Sequence, residues 1–165
     1  MRLGVLSDTH NDLSNLRAAL QVFRAEGIPR LIHCGDLTGP ELAMELAGFE
    51  VTYLVGNMDA HRGSIAAALR QANPANRIRD TFTGEVGGVP VAATHGHHSG
   101  AVENLAHSGL YAWVFHGHTH RRRNEIVGST RIINPGALGG LKPEYRSACV
   151  VDLVKAEARF VRVGE

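Results

Sequence analysis

The first 71 residues alternate three times between a short apolar run and a segment in which apolar residues recur every three or four positions. The short runs predict strands, and the amphipathic segments predict helices. Strands that alternate with helices in this way indicate parallel pairing with helical crossovers. The predicted strands are 2–6, 31–34 and 50–55, and the predicted helices are 12–26, 40–47 and 62–71.

The second half of the chain is β-rich. Gly87-Gly88 favours a tight turn between predicted strands 77–83 and 89–94. A predicted helix at 100–107 is followed by predicted strands at 111–115, 122–127, 130–133, 146–153 and 157–163. Two sheets packed face to face with helices outside would accommodate both halves. We therefore expect an α/β fold, a two-sheet sandwich flanked by helices, in a single domain over residues 1–165, since this length suits one core and contains no linker.

The composition and net charge favour a soluble protein that binds neither nucleic acid nor membranes. A hydrophobic content of 44% allows a core without disulfides, and a net charge of +1 argues against a nucleic-acid or membrane partner. No apolar run reaches the roughly 20 residues of a membrane-spanning helix. Cys34 and Cys149 lie in apolar runs without metal-type spacing, so we expect reduced, buried thiols. These features, with no signal peptide recognised, favour the cytoplasm.

Metal-competent polar residues follow five of the predicted strands. In an open α/β sheet, the carboxyl ends of the strands form the edge at which ligands bind. Imidazole and carboxylate groups suit Mn, Fe, Co, Ni and Zn, and a pair of such ions can hold a phosphoryl group. Each segment alone is typical of a turn, a helix cap or a surface histidine, but together they favour a dinuclear metal site. The segments are Ser7-Asp8-Thr9-His10, Gly35-Asp36, Gly56-Asn57-Met58-Asp59, Thr94-His95-Gly96-His97-His98 and His116-Gly117-His118-Thr119-His120.

This ordered set resembles the calcineurin-like metallophosphoesterase superfamily, and within it the small YfcE-like phosphodiesterase branch. Asn134-Pro135-Gly136-Ala137 is similar to the Asn-Pro-Gly-Ser segment of that branch. The resemblance spans roughly residues 3–140. It implies an αββα sandwich and a metal-dependent phosphodiesterase, with a small-molecule phosphodiester as the substrate and a homo-oligomer as a common state.

The resemblance also implies a ligand set. The first metal would be bound by Asp8, His10, Asp36 and His120. The second would be bound by Asp36, Asn57, His95 and His118, with Asp36 bridging the pair. A hydroxide activated by the two ions would attack phosphorus, and Asn57 would also orient the substrate. Mn is the expected ion, with Fe, Ni, Co and Zn as alternatives.

One position departs from the family pattern. Many superfamily members have a histidine, proposed to protonate the leaving group, where this chain has Met58, and the YfcE-like branch commonly has a cysteine there. A methionine cannot donate a proton. We expect His97 to take this catalytic role, with His61 as the second choice, and leave open whether Asp59 supports the site or only a turn.

Two other functions remain as alternatives. Relatives of this fold in eukaryotic sorting complexes have lost metal ligands and act as interaction scaffolds, but all seven ligand positions are filled here. A nuclease would need a basic groove or a capping domain. Arg121-Arg122-Arg123 is expected to be a solvated strand start, because no wider basic field accompanies it. His33 is expected in the core, and His116 in a supporting position.

Overall fold

The computed structural model describes residues 1–142 and 144–164, and these contain eleven strands, four α-helices and one 3₁₀ helix. The strands are β1 (Arg2–Leu6), β2 (Arg30–His33), β3 (Glu50–Leu54), β4 (Arg77–Arg79), β5 (Thr81–Val86), β6 (Val89–Thr94), β7 (Trp113–Phe115), β8 (Arg123–Val127), β9 (Thr130–Asn134), β10 (Ser147–Asp152) and β11 (Glu157–Arg162). The helices are α1 (Leu13–Ala25), α2 (Pro40–Ala43), α3 (Arg62–Ala72) and α4 (Ala101–His107), and the 3₁₀ helix is Met44–Leu46. None of the described helices has the length and apolar character needed to cross a membrane.

Within the described ranges, the strands form two mixed sheets. The first has the order β11-β10-β1-β2-β3-β4, and its β1 to β4 strands run parallel. The second has the order β5-β6-β7-β9-β8, with β6, β7 and β9 parallel. The α/β sandwich flanked by helices is therefore confirmed. The alternating first half forms the parallel part of one sheet because each connection between its first strands passes through a helix.

The core lies in three layers set by the side-chain alternation of the strands. Leu3 and Val5 of β1 belong to the apolar cluster between the sheets, whereas Leu6 packs with the helices on the outer face of the first sheet. The helix α1 begins after Asp12, whose side chain accepts a hydrogen bond from the Asn15 N–H at 3.0 Å. On the second sheet, α4 covers a smaller cluster that includes Val114. This confirms the order helix, sheet, sheet, helix.

The predicted strand 77–83 is wrong, because the chain changes sheets at Asp80. Residues 77–79 pair with β3, and residues 81–86 pair with β6. In one continuous strand Ile78 and Phe82 would point to the same face. Instead, Ile78 packs on the helix-side cluster and Phe82 packs between the sheets. The segment 77–86 therefore joins the two sheets.

Candidate metal centre

Five loops meet at one end of the sandwich, where the carboxyl ends of parallel strands from both sheets converge. They follow β1, β2 and β3 in the first sheet and β6 and β7 in the second. Backbone hydrogen bonds join neighbouring loops, from Asp8 N to Gly35 O at 2.9 Å and from Gly117 N to His95 O at 3.0 Å. Across the sheets, the His118 N–H donates to Asp8 Oδ2 at 3.0 Å. The five segments therefore converge as expected, and they come from the carboxyl ends of strands in both sheets.

The first cluster of side chains consists of Asp8, His10 and His120. One potential ligand atom from each lies within 4.8 Å of the others. The Nε2 atoms of His10 and His120 are 3.1 Å apart, and His120 Nε2 is 3.3 Å from Asp8 Oδ1. The cluster is buried at Asp8 and half-buried at the two histidines, so it opens toward solvent on the imidazole side.

The second cluster consists of Asp8, Asp36 and His95, again with ligand atoms within 4.8 Å of one another. His95 Nε2 lies 3.3 Å from Asp36 Oδ2 and 3.0 Å from Asn57 Oδ1. The same Asp36 oxygen is 3.8 Å from His10 Nε2, so it lies between the two clusters. His118 stands exposed at the rim, with its ring centroid 5.1 Å from that of His95.

The carboxylates and imidazoles shift one another's pKa values. Burial opposes ionisation of Asp8, but His10, His120 and Ser7 outweigh it and lower the Asp8 pKa well below its usual value. Burial also opposes protonation of His95, yet Asp36 and Asp8 raise the pKa of His95. The centre therefore favours positive charge among its carboxylates, and a metal cation can take the place of those protons.

Two of the imidazoles are oriented by backbone carbonyls. His95 Nδ1 donates to Cys34 O at 2.6 Å, and His120 Nδ1 donates to Leu141 O at 2.8 Å. A proton held on Nδ1 makes Nε2 the atom free to bind a metal in the neutral ring. Each Nε2 atom faces an aspartate of the clusters.

Asp8 Oδ1 tests whether a cation fits the site. This atom is buried and accepts no hydrogen bond from the described residues, while Asp8 Oδ2 accepts one from Ser7 Oγ at 2.6 Å. A buried carboxylate oxygen normally has a partner, because leaving it unpaired costs the desolvation of a charged group. The Nε2 atoms of His120 and His10 lie 3.3 and 3.8 Å from it. The residues fit a bound cation.

Five of the seven sequence-predicted ligands have a left-handed backbone. The φ angles are 52° at Asp8, 44° at His10, 58° at Asp36, 67° at His118 and 57° at His120. This region is uncommon for residues other than glycine and costs on the order of 1 kcal/mol or more at each position. Such concentrated strain is typical of a functional site, where the surrounding fold holds the side chains in place.

Glycine is required where loops approach the carboxylates most closely. A Cβ atom added at Gly56 would overlap the Asp36 carboxylate, and one added at Gly117 would overlap Ser7 Oγ. Neither glycine has a positive φ, so close approach is the reason for its presence.

Asp59 holds the loop that carries Asp36 through hydrogen bonds to backbone N–H groups. Its Oδ2 accepts hydrogen bonds from the N–H groups of Gly56 at 2.7 Å and Asp36 at 3.2 Å, and its Oδ1 accepts one from Thr38 N at 3.0 Å. The hydroxyl of Tyr53 also donates to Asp59 Oδ2. Asp59 is therefore a positioning residue for the Asp36 loop.

The geometry of this centre agrees with comparisons to known proteins. Residues 1–156 match the model of the calcineurin-like phosphoesterase superfamily domain. The chain belongs to the calcineurin-like phosphoesterase superfamily. A phosphodiesterase of Methanocaldococcus jannaschii is 34% identical over 163 residues, which cover 98% of both chains.

Solved structures agree with this family. A structure described as that of a novel archaeal phosphodiesterase is 34% identical, with a TM-score of 0.93, and covers 98% of this chain and 99% of that one. The YfcE phosphoesterase of E. coli shares the fold, with a TM-score of 0.69, 20% identity and coverage of 99% and 100%.

Met58 occupies the position at which many members of the superfamily have a histidine. This residue and the two candidate replacements for that histidine lie at or near the open rim of the site. Met58 is 55% exposed, and its N–H donates to Asp36 Oδ1 at 2.8 Å. The His97 ring is half-buried, 5.4 Å from the His95 ring between centroids. Burial and then the neighbouring imidazoles of His98 and His95 lower the pKa of His97. His61 occupies the N-cap position of α3 without a side-chain capping hydrogen bond to the described residues, and it is exposed.

Asn134 supports the loop that follows β7. Its Asn-Pro-Gly-Ala segment was recognised in the sequence, but no role was predicted for it. Its Nδ2 donates to Gly117 O at 2.8 Å and Thr119 Oγ1 at 3.1 Å, and its Oδ1 accepts from Gly136 N at 2.9 Å. It fixes the loop that carries His118 and His120. Ser7 and Tyr53 were missed, because an isolated hydroxyl in or beside a strand carries no pattern of its own.

His33 lies in the core, as expected, whereas Arg122 and Arg123 are half-buried and not the solvated strand start that was expected. His33 is fully buried and hydrogen-bonds to Thr9 Oγ1 at 2.9 Å. His116 is 4% exposed, and burial lowers its pKa to about 4. In the arginine run, Arg122 stacks on Tyr145, and Arg123 pairs with acidic side chains, so neither forms part of a basic groove.

Proposed function

We propose that this protein is a phosphodiesterase that acts with two divalent cations at the candidate metal centre. The observation that carries the proposal is the pair of ligand clusters that share Asp8, whose buried Oδ1 has no hydrogen-bond partner among the described residues and lies near two imidazoles. The proposed ligands are Asp8, His10, Asp36, Asn57, His95, His118 and His120. The position of one Asp36 oxygen between His10 and His95 supports a bridging role.

The side chains divide the work between binding and orientation. When bound, the two cations supply Lewis-acid charge that activates water and neutralises the phosphate. Asn57 offers an uncharged oxygen beside His95, which limits the negative charge near an anionic substrate. Because Asn57 and His118 are exposed at the rim, they can also contact and orient the phosphate.

His97 is the proposed proton donor to the leaving group. It lies beside His95 at the rim, whereas the neighbouring Met58 offers no proton. Its lowered pKa means that the neutral ring, with one N–H, is the ordinary form near neutral pH in the metal-free protein. The neutral N–H can donate a hydrogen bond to the departing oxygen, whereas transfer of a proton requires the imidazolium form, which becomes more populated as the pH falls and leaves neutral imidazole behind.

The proposed substrate is a small or flexible phosphodiester. The full-length similarity to a phosphodiesterase supports this class of bond. A net charge of +1 and an arginine run engaged with Glu103, Glu125 and Tyr145 give little support to nucleic acid. Mn²⁺ is the proposed ion because the ligand set mixes imidazole nitrogen with carboxylate and amide oxygen. The buried free thiols of Cys34 and Cys149 fit the proposed cytoplasmic location.

The decisive experiment is hydrolysis of bis(p-nitrophenyl) phosphate by metal-stripped protein with and without Mn²⁺. We expect Mn²⁺ to restore activity in the wild type and Asp36→Ala and His95→Ala to abolish it. His107→Ala, on the exposed side of α4, is the matched control and keeps full activity. A wild-type protein that binds no metal and stays inactive with every ion would overturn the proposal and leave a scaffold. Cleavage of DNA or RNA without cleavage of the diester would identify a nuclease.

A further inference from the structure

The guanidinium group of Arg146 donates hydrogen bonds to three consecutive backbone carbonyls beside the metal centre. Its Nη1 donates to Gly139 O at 2.6 Å and Leu141 O at 3.2 Å, and its Nη2 donates to Gly140 O at 2.6 Å. Carbonyl dipoles that converge on one point repel each other unless a cation lies between them. The planar fork of arginine supplies several N–H donors in fixed directions and therefore suits this arrangement.

The same three residues touch the first cluster. Leu141 O accepts the hydrogen bond from His120 Nδ1 at 2.8 Å. Gly140 lies directly against both imidazoles, since a Cβ atom there would be 2.6 Å from His10 Cδ2 and 2.9 Å from His120 Cε1. Gly139 N donates to Asp8 O at 2.8 Å. The 139–141 segment therefore contacts all three members of this cluster.

The second cluster is held differently. His95 is oriented by Cys34 O, and the Asp36 loop is held by Asp59. Neither contact involves residues 139–141 or Arg146. Asp8 belongs to both clusters, but the 139–141 segment contacts it through its backbone oxygen, so a change at Arg146 should act mainly through His120 on the first cluster.

We propose that Arg146 is a positioning residue for a single metal ion, the one bound at Asp8, His10 and His120, and that it acts by holding the Leu141 carbonyl against His120 Nδ1. The inference rests on the metal sites of the proposed function. It adds that the two sites can be weakened independently through a residue that binds neither ion. Arg146 acts on the Nδ1 proton of His120, which leaves Nε2 to face the cation.

The test measures metal affinity in the full chain. Metal-free wild type, Arg146→Met and Arg146→Lys are titrated with Mn²⁺ by calorimetry, and the bound ions are followed by electron paramagnetic resonance. We expect two ions in the wild type and, in Arg146→Met, a loss of about 10- to 100-fold in affinity for one ion with the other changed less than twofold. Arg146→Lys keeps the positive charge but loses the planar set of N–H donors, so its affinity for that ion should lie between those of the wild type and Arg146→Met. Arg159→Met, which removes an arginine paired with Glu26, is the matched control and should bind as the wild type does.

A second measurement is independent of metal and of activity. In metal-free protein, ¹⁵N shifts of His120 should show a proton held on Nδ1 in the wild type and a mixture of tautomers in Arg146→Lys. Equal losses at both ions, or unchanged affinities together with an unchanged tautomer, would overturn the role of Arg146. A wild type that binds no Mn²⁺ would instead overturn the proposed function and the inference with it.

Discussion

The Tyr53 hydroxyl donates a hydrogen bond of 2.6 Å to Asp59 Oδ2 and accepts one of 3.0 Å from the Leu37 N–H. One buried side chain of β3 thus ties the loop that carries Asn57 to the loop that carries Asp36.

Removing that hydroxyl should destabilise the fold and loosen the metal centre. Tyr53→Phe leaves the Leu37 N–H unpaired and takes one donor from the Asp59 carboxylate, which should lower the free energy of unfolding by about 2–3 kcal/mol. Urea denaturation in EDTA measures this change. The control is Tyr111→Phe, because the hydrogen bond from Thr130 Oγ1 goes to the backbone oxygen of Tyr111, which the change leaves in place, and this variant should stay within about 0.5 kcal/mol of the wild type. Equal stability of the two variants would contradict the supporting role.

Replacement of His97 should affect substrates according to their leaving group. His97→Ala should reduce turnover of a diester with an alkyl leaving group by about 100-fold and that of a nitrophenyl diester by less than tenfold, because a good leaving group needs little protonation. Steady-state kinetics on both substrates measures the ratio. His107→Ala removes an exposed imidazole on α4, away from His97, and should leave both rates unchanged. Equal losses on both substrates in His97→Ala would exclude the acid role.

Metal removal should lower thermal stability. At a free Mn²⁺ concentration 100-fold above the dissociation constant, each filled site contributes about 2.7 kcal/mol to the free energy of unfolding. Scanning calorimetry with Mn²⁺ and with EDTA should therefore show a clear rise in Tm for the wild type and a much smaller one for Asp36→Asn. Asp80→Asn removes a surface carboxylate paired with Arg62 and should retain the full rise. A Tm that does not depend on Mn²⁺ in the wild type would argue against bound metal.

His33 should make the protein less stable in acid. Burial lowers the pKa of His33 from 6.5 to about 4, so the unfolded chain binds this proton more readily than the folded one. Stability is therefore lost as the pH falls from about 6.5 to about 4, by an amount on the order of 3 kcal/mol. His33→Asn can keep an acceptor for the Gly35 N–H and should flatten the decline. Urea denaturation of metal-free protein at pH 7 and pH 4.5 compares the two, and parallel declines would refute the assignment.

The sequence alone predicted that the proposed ligands converge, because the rule behind the prediction is general. Parallel strands bring their carboxyl ends together whatever the side chains are, so Asp8 and Asp36 could be placed near each other from their order in the chain. No local sequence pattern showed that strands of two different sheets would contribute to the site. The chain's passage from one sheet to the other at Asp80 was also missed, since the β-forming character of 77–83 is continuous while its pairing partners are far away in sequence.

The orienting contacts could not be predicted for a related reason. Arg146 reads as an ordinary charged residue, and its role depends on three carbonyls brought together by the loop 139–141. Leu141 gives no signal either, because its backbone oxygen, not its exposed side chain, meets His120.

The left-handed backbone at five of the proposed ligands has a consequence for how such a protein can change over time. At each of these positions, glycine would fit the backbone without strain. A substitution to glycine at His10 or His118 would remove a proposed metal ligand while relieving strain in the fold. The same geometry that presents the ligands thus allows the catalytic set to be lost without loss of the architecture, and it leaves a short route from an enzyme to a binding scaffold.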